Sequence, residues 1–161
     1  MLRNRVRVAR EAREGEAGPL IIARSDARAM EGLDAMLRRL ETYHAAGADI
    51  LFPEALTTEE EIAFVAARLP GPAMMNMADG GHTPILPAAT LEQMGYSGAI
   101  FPAMTALAAA AATQTALRML KTNGASLNEG VPLFSFAQMC SLLRFDEIYQ
   151  QDARWADFNQ I

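Results

Sequence analysis

The sequence predicts an α/β protein in which parallel strands alternate with helices. Four short apolar runs begin near residues 20, 49, 73 and 98, and each is bounded by charged or turn-forming residues, as is typical of buried strands. One strand plus one helix recurs about every 24 to 29 residues. Because strand–helix–strand crossovers are right-handed, this order predicts a parallel sheet covered by helices, either an open doubly wound layer or an arc of a barrel.

The strands are predicted from continuous apolar runs rather than from alternation, since a strand of a parallel sheet is buried on both faces. They span residues 19–23, 49–53, 73–76 and 98–102. Met74, Met75 and Met77 lie together in the third strand and directly after it, and we interpret them as core packing, because methionine fills irregular apolar space.

The helices are predicted from apolar spacing, capping residues and terminators. A helix from Leu33 repeats apolar residues at intervals of three and four and stops at Gly47. Thr57 and Thr58 each have a glutamate three residues further on, so either can open the next helix through a capping box. A short helix that bears several arginines is predicted before the first strand, and another over residues 88–94. An alanine-rich helix is predicted to end at Asn123-Gly124, and a last helix to span residues 134–149.

We divide the chain into four βα units over residues 1–124 and a loop with a C-terminal helical segment over 125–161. Of its 161 residues, 51% are hydrophobic and 20% are charged, which predicts one ordinary core. The net charge of −5 argues against nucleic acid as a partner. Cys140 has no second cysteine to pair with, and no apolar stretch is long enough for a membrane helix, so we expect a cytoplasmic protein with no membrane partner.

Polar side chains follow three of the four predicted strands. Arg24 and Asp26 come after the first, Glu54 after the second, and Asn76 with Asp79 after the third, whereas the fourth ends without a charge. Ligands of parallel α/β proteins lie beyond the carboxyl ends of the strands. An arginine, a carboxylate and an amide at one rim suit a substrate that bears a carboxylate, and Glu54 could hold a metal or its water.

Each of these residues also has a structural interpretation. Arg24 and Asp26 can form an ion pair, Glu54 can favour the start of a helix, and Asn76 can shape a turn. His82 lies in a glycine-rich loop at the rim, where it could touch a ligand. Other features give weaker evidence of a site. His44 falls on the buried stripe of a helix, and the two histidines with Cys140 do not form a zinc motif. Gly80-Gly81 lacks a phosphate-binding pattern, and neither Ser25 nor Cys140 has a paired base.

Three segments resemble the isocitrate lyase and phosphoenolpyruvate mutase superfamily, especially its small members. They are IIARSDA at 21–27, GADILFPEA at 47–55 and NMADGGHTP at 76–84. The resemblance implies a (β/α)8 barrel of the TIM type, of which this chain carries the last four βα units plus a C-terminal helix. It also implies a lyase, decarboxylase or mutase that acts on a small 2-oxo or dicarboxylic acid through an enolate stabilised by magnesium, with manganese as a substitute.

The resemblance also implies roles for individual residues. Arg24 is similar to the arginine that holds the substrate carboxylate, Glu54 to the acid that contacts magnesium through water, and Asn76 to the amide that binds a second carboxylate. Asp79 and His82 would contact substrate, at positions where the family usually has Glu and Lys. Ala78 lacks the hydroxyl that the lyases carry there, which disfavours cleavage of a branched tricarboxylate.

The family's paired aspartates that bind magnesium, and its Lys-x-Cys-Gly-His loop, are absent from this sequence. We therefore expect the other half of the barrel to come from a second copy, a partner chain or an upstream segment, and we expect the chain to be inactive alone. The family's C-terminal helix is exchanged between neighbours, which predicts a homo-oligomer. Two alternatives are a non-catalytic half-barrel module for binding or assembly, and an open flavodoxin-like layer unrelated to the family.

Overall fold

The computed structural model of the chain describes residues 2–13, 15, 18–126 and 130–156. Contacts divide it into two compact units, Met1–Ala108 and Ala109–Ile161. All strands of the described chain lie in the first unit. In chain order the elements are α1 (Leu2–Ala12), β1 (Ile22–Ser25), α2 (Ala27–Glu31), α3 (Leu33–Ala45), β2 (Ile50–Pro53), α4 (Glu59–Ala66), β3 (Met74–Asn76), α5 (Ala88–Met94), β4 (Gly98–Ile100), α6 (Met104–Asn123), α7 (Phe136–Leu142) and α8 (Phe145–Trp155).

The strands are parallel and lie side by side in chain order. Ile22 of β1 pairs with Ile50 of β2, and Met74 of β3 pairs with Gly98 of β4. A single bridge between Leu51 and Ala73 joins the two pairs. The prediction of an α/β protein with parallel strands is therefore confirmed.

β1 is placed further along the chain than the apolar run indicated. Residues 19–21 lie outside the strand, and Arg24 is part of β1 instead of following it. The strand extends past its apolar residues because its backbone pairing with β2 continues, with the amide of Glu54 donating a hydrogen bond to the carbonyl of Ser25 at 3.1 Å. Charged residues at the carboxyl end of a strand can thus belong to the strand itself.

The core of the first unit lies between the strands and the helices that cover one of their faces. Ala23 and Ser25 of β1 are buried there, whereas Ile22 and Arg24 on the opposite face are exposed. The fully buried side chains come from successive elements and form one apolar cluster, which includes Met36, Leu40, Leu51, Leu56, Ile62, Val65 and Leu91. Met75 and Met77 are also fully buried, as predicted.

The helix ends follow ordinary capping chemistry. Thr58, not Thr57, is the N-cap of α4, and its side chain accepts from the amide of Glu61 at 3.1 Å. The Glu61 carboxylate reaches past Thr58 to the amide of Thr57 at 2.8 Å. Gly47 has φ of 101° just after α3, a left-handed conformation that glycine adopts without a Cβ clash.

One helix was missed and one helix prediction was wrong. The short helix α2 has too few residues to show a period and was not predicted. The predicted final helix over 134–149 is two helices, because Arg144 between α7 and α8 has φ of 59° and breaks the helical hydrogen-bonding pattern. α7 begins at Phe136 because Ser135 and Gln138 form a capping box, and α8 continues to Trp155.

The second unit holds most of α6 together with α7 and α8. Several large apolar side chains are exposed in it, among them Leu117, Phe134, Phe136 and Leu142. Within the described residues, no helix combines the length and apolarity that crossing a bilayer requires.

Candidate functional site

Three side chains meet at the carboxyl ends of β1, β2 and β3. Nη2 of Arg24 lies 3.2 Å from Oε2 of Glu54. Nδ2 of Asn76 donates to the same oxygen at 3.3 Å. The structure thus brings together three of the predicted site residues, with the Glu54 carboxylate between a cation and an amide.

The strand register explains this convergence. Leu51 pairs with Ala73, so Glu54 and Asn76, each three residues further along, reach the same level of the sheet. Arg24 pairs with Phe52, two residues before Glu54, and side chains two apart on a strand share a face. The guanidinium carbon of Arg24 lies 5.5 Å from the centre of the Phe52 ring, a cation–π contact.

Arg24 also forms the ion pair with Asp26 that the structural interpretation predicted. Its Nη2 donates to Asp26 Oδ1 at 2.6 Å and its Nε at 3.1 Å. The hydrogen bond with Asp26, reinforced by the charge of Glu54, raises the pKa of Arg24 and outweighs the lowering by burial. The guanidinium is therefore a permanent cation that already faces two carboxylates.

The backbone after Glu54 turns sharply. Ala55 has φ of 64°, in a region that disfavours residues with a Cβ by about 1–2 kcal/mol. The Ala55 amide donates to Glu54 Oε1 at 3.3 Å, so both carboxylate oxygens of Glu54 have partners. The side chain of Glu54 is only 17% exposed, which makes it the most enclosed charge of the site.

One polar atom of Asn76 is buried without a hydrogen-bond partner among the described residues. Its NH2 group faces Glu54, because an ionised carboxylate only accepts hydrogen bonds. Its Oδ1 is buried and has no hydrogen-bond partner in the part of the chain that the structure describes. A buried acceptor of this kind is normally satisfied, so a hydroxyl, a water or a ligand donor suits this position.

Asp79 and His82 lie outside this cluster. Both are exposed in the loop after β3, and neither side chain forms a hydrogen bond or ion pair with the described residues. His44, at the end of α3, packs against Gly71, where a Cβ would come within 2.5 Å of its ring. The structure therefore gives His44 a packing role and gives Asp79 and His82 no contact with the other predicted residues.

The described residues do not form a metal site by themselves. No group of three or more His, Cys, Asp or Glu side chains among residues 2–13, 15, 18–126 and 130–156 is arranged to hold a metal ion. Glu54 is engaged by Arg24, Asn76 and its own loop. Magnesium would need further oxygen ligands, because this ion demands a nearly complete octahedron.

Sequence reasoning missed two neighbours of the site. The sequence predicts Phe52 only as a buried strand residue, whereas its pairing with Arg24 places both side chains on the same face of the sheet. Arg28 of α2 donates to Glu61 of α4 and to Thr57, a contact between residues far apart in the chain that no local pattern predicts. Thr57 and Glu61 stood out in the sequence only as capping residues.

Comparison with known proteins identifies the family. The family model described as phosphoenolpyruvate phosphomutase matches residues 2–121. The chain belongs to this family. Among curated members, the 2-methylisocitrate lyase of Bacillus subtilis (strain 168) is 44% identical over 112 residues, which cover 70% of this chain and 37% of that protein.

Solved structures of the phosphoenolpyruvate mutase/isocitrate lyase superfamily agree. A crystal structure of 2,3-dimethylmalate lyase matches with a TM-score of 0.85 and 30% identity, over 96% of this chain and 55% of that one. Oxaloacetate acetylhydrolase in complex with 3,3-difluorooxalacetate matches with a TM-score of 0.77 and 27% identity, over 96% of this chain and 50% of that one. The chain thus spans about half the length of these relatives, or less.

Proposed function

We propose that this chain forms the carboxylate-binding part of an active site that makes or breaks a carbon–carbon bond in a small 2-oxo or dicarboxylic acid. The observation that carries the proposal is the contact of Arg24, Glu54 and Asn76 at the carboxyl ends of neighbouring parallel strands. Relatives named as lyases of 2-methylisocitrate and 2,3-dimethylmalate support this substrate class.

Arg24 is proposed to hold the substrate carboxylate. A guanidinium presents paired donors in a plane, which matches the two oxygens of a carboxylate. Asn76 offers its free Oδ1 to a hydroxyl of the substrate, and Glu54 fixes both side chains. When a carbon–carbon bond next to a hydroxyl breaks, one fragment keeps the electron pair as an enolate, whose charge Arg24 would stabilise. The hydroxyl carbon of the other fragment becomes a carbonyl, and we propose that a base in the covering segment takes the hydroxyl proton.

The four βα units over residues 1–124 are proposed to be one arc of a (β/α)8 barrel, with the C-terminal segment 125–161 exchanged between subunits. In such a barrel the inward side chains pack in layers. Here Ile22 is 51% exposed and Ile100 is 39% exposed on the face that carries Arg24 and Asn76. A second copy, a partner chain or a longer polypeptide would cover this face.

The magnesium that the resemblance implies does not fit the described residues alone. As the resemblance implies, Glu54 is proposed to contact the ion through water, and the remaining ligands would come from the covering segment. Manganese is the expected substitute, since it accepts the same oxygen ligands. The roles proposed for Arg24, Glu54 and Asn76 therefore include no step on a metal. Asp79 and His82 stay candidates for contact with the substrate.

The alternative is a non-catalytic binding module. It is favoured by the same observation, since the Glu54 carboxylate is already paired with Arg24 and accepts a hydrogen bond from Asn76. Magnesium separates the two proposals, because a catalytic site gains affinity for an enolate mimic when the ion is present and a simple anion site does not.

The test is a calorimetric titration of oxalate, an enolpyruvate mimic, with and without magnesium, on a sample whose mass is determined in parallel. Micromolar binding that requires magnesium supports the catalytic proposal. Binding of the same strength without the ion supports the binding module. No binding under either condition, by a sample whose mass shows more than one chain, overturns the assignment of the site to 2-oxo acids.

A further inference from the structure

A second polar cluster joins helices α2 and α4 to the loop between β2 and α4. Nε and Nη2 of Arg28 donate to the two oxygens of Glu61 at 3.1 and 2.6 Å. Nη2 of Arg28 also donates to Thr57 Oγ1 at 2.6 Å, and the Thr57 amide donates to Glu61 at 2.8 Å. We call these three residues, Arg28, Thr57 and Glu61, the clamp.

The clamp is more enclosed than the other arginine pairs that face solvent. The side chains of Arg28 and Glu61 are 26% and 20% exposed, against 46% and 48% for Arg39 and Glu31. The hydrogen bond with Arg28 is the main reason that the pKa of Glu61 is lowered, and the reciprocal bond raises the pKa of Arg28. Both groups are therefore charged around neutral pH, and planar paired bonds of this kind fix orientation as well as distance.

The position of the clamp in the chain connects it to the candidate site. Arg28 is four residues after Arg24, and Thr57 is three residues after Glu54. The loop that carries Glu54 is held at its start by the bond from the Glu54 amide to the Ser25 carbonyl and at its end by the clamp. Between these points the left-handed Ala55 would relax to an ordinary conformation if the loop were free.

We propose that Arg28 is a positioning residue that, through Glu61 and Thr57, holds the strained loop so that Glu54 contacts Arg24 and Asn76. Arg28 itself forms no hydrogen bond or ion pair with Arg24, Glu54 or Asn76 among the described residues. Its effect on ligand affinity rests on the proposed function, but its effect on the geometry of Glu54 does not. The two can therefore be measured separately.

The experiment compares the parent chain with Arg28→Met by NMR without ligand. Asn76 donates one side-chain amide proton to Glu54, so its NH2 resonances report where Glu54 lies. We expect these resonances to move toward their free positions and the Thr57 amide to exchange about tenfold faster, the loss expected for a charge-assisted bond. Arg39→Met removes a comparable pair with Glu31 and should change neither signal.

Arg28→Lys retains the charge without the planar pair of donors, and we expect it to give intermediate shifts. It also supplies the readout if Arg28→Met fails to fold. Unchanged Asn76 resonances in both folded variants would overturn the proposal, as would an equal change in Arg39→Met. A role in stability alone would raise exchange throughout the first unit without moving the Asn76 signals.

Oxalate affinity is measured on the same variants, and we expect about a tenfold loss in Arg28→Met. If the parent binds no oxalate while the Asn76 signals still respond to Arg28, the proposed function fails and the positioning role stands. If the parent binds oxalate and the signals do not respond, the positioning role fails and the proposed function stands.

Discussion

Arg24 and Glu54 contact each other across neighbouring parallel strands, with 3.2 Å between Nη2 and Oε2. Arg24 also pairs with Asp26, whose side chain is 61% exposed where that of Glu54 is 17% exposed. An incoming carboxylate would more easily displace the exposed partner, because solvent screens that pair and replaces its hydrogen bonds. We therefore expect a ligand carboxylate to replace Asp26 beside Arg24 and to leave Glu54 in place.

The first prediction concerns Arg24. Arg24→Ala should reduce oxalate affinity at least about 30-fold, because removing one partner of a charge pair in a binding site costs about 2 kcal/mol or more. The fold should persist, since Arg24 is half exposed. Calorimetry gives the affinity and circular dichroism gives the fold, with Arg39→Ala as the control from another exposed ion pair. Retained affinity in Arg24→Ala would rule out its assignment.

The second prediction concerns Asp26. Asp26→Asn removes the charge that competes with a ligand for Arg24 and keeps the shape of the side chain. We expect oxalate to bind about threefold more tightly, which corresponds to the small energy of an exposed ion pair. Glu31→Gln is the control, since it removes another exposed carboxylate, which belongs to α2 and pairs with Arg39. Weaker binding in Asp26→Asn would mean that Asp26 orients Arg24 for the ligand instead.

Local sequence patterns and one topological rule were enough to predict the strands, most of the helices and the convergence of Arg24, Glu54 and Asn76. Parallel strands with right-handed crossovers align their carboxyl ends, so residues that follow the strands converge. The clamp could not be predicted, because it joins Arg28 to Glu61 over 33 residues. The break at Arg144 was missed because it depends on one backbone angle that this residue type seldom adopts.

The third prediction concerns Asn76. Asn76→Asp would place a second carboxylate beside Glu54, at the position where an amide now donates to it. We expect weaker oxalate binding without metal and tighter magnesium binding, because two carboxylates repel an anion and supply hard oxygen ligands. Calorimetry with each ligand measures both effects. Asn76→Ala is the control, since it should weaken oxalate binding without improving magnesium binding.

The fourth prediction concerns acid stability. The hydrogen bonds of Arg28 lower the pKa of Glu61 in the folded chain, so this carboxylate stabilises the fold above the pKa that it has when unfolded. That contribution is lost as the pH falls through the folded pKa. Glu61→Gln should therefore reduce the free energy of unfolding at pH 7 by about 1–3 kcal/mol, and the deficit should shrink in acid.

Urea unfolding at several acidic and neutral pH values measures this difference. Glu59→Gln is the control, because it removes an exposed glutamate from the same first turn of α4. A deficit in Glu61→Gln that stays constant as the pH falls would show that packing or hydrogen bonding, and not the charge of Glu61, accounts for the loss.

The last prediction concerns the exposed face of the strands. Ile22 and Ile100 lie on the face that carries Arg24 and Asn76, and they are 51% and 39% exposed. Large apolar surfaces of this kind favour association. We expect light scattering to give a mass above that of one chain. Ile22→Glu should lower it, because association would bury an unpaired charge, whereas Met30→Glu on α2, where the methionine is 87% exposed, should not. A uniform monomer for the parent would mean that this face needs a different covering segment.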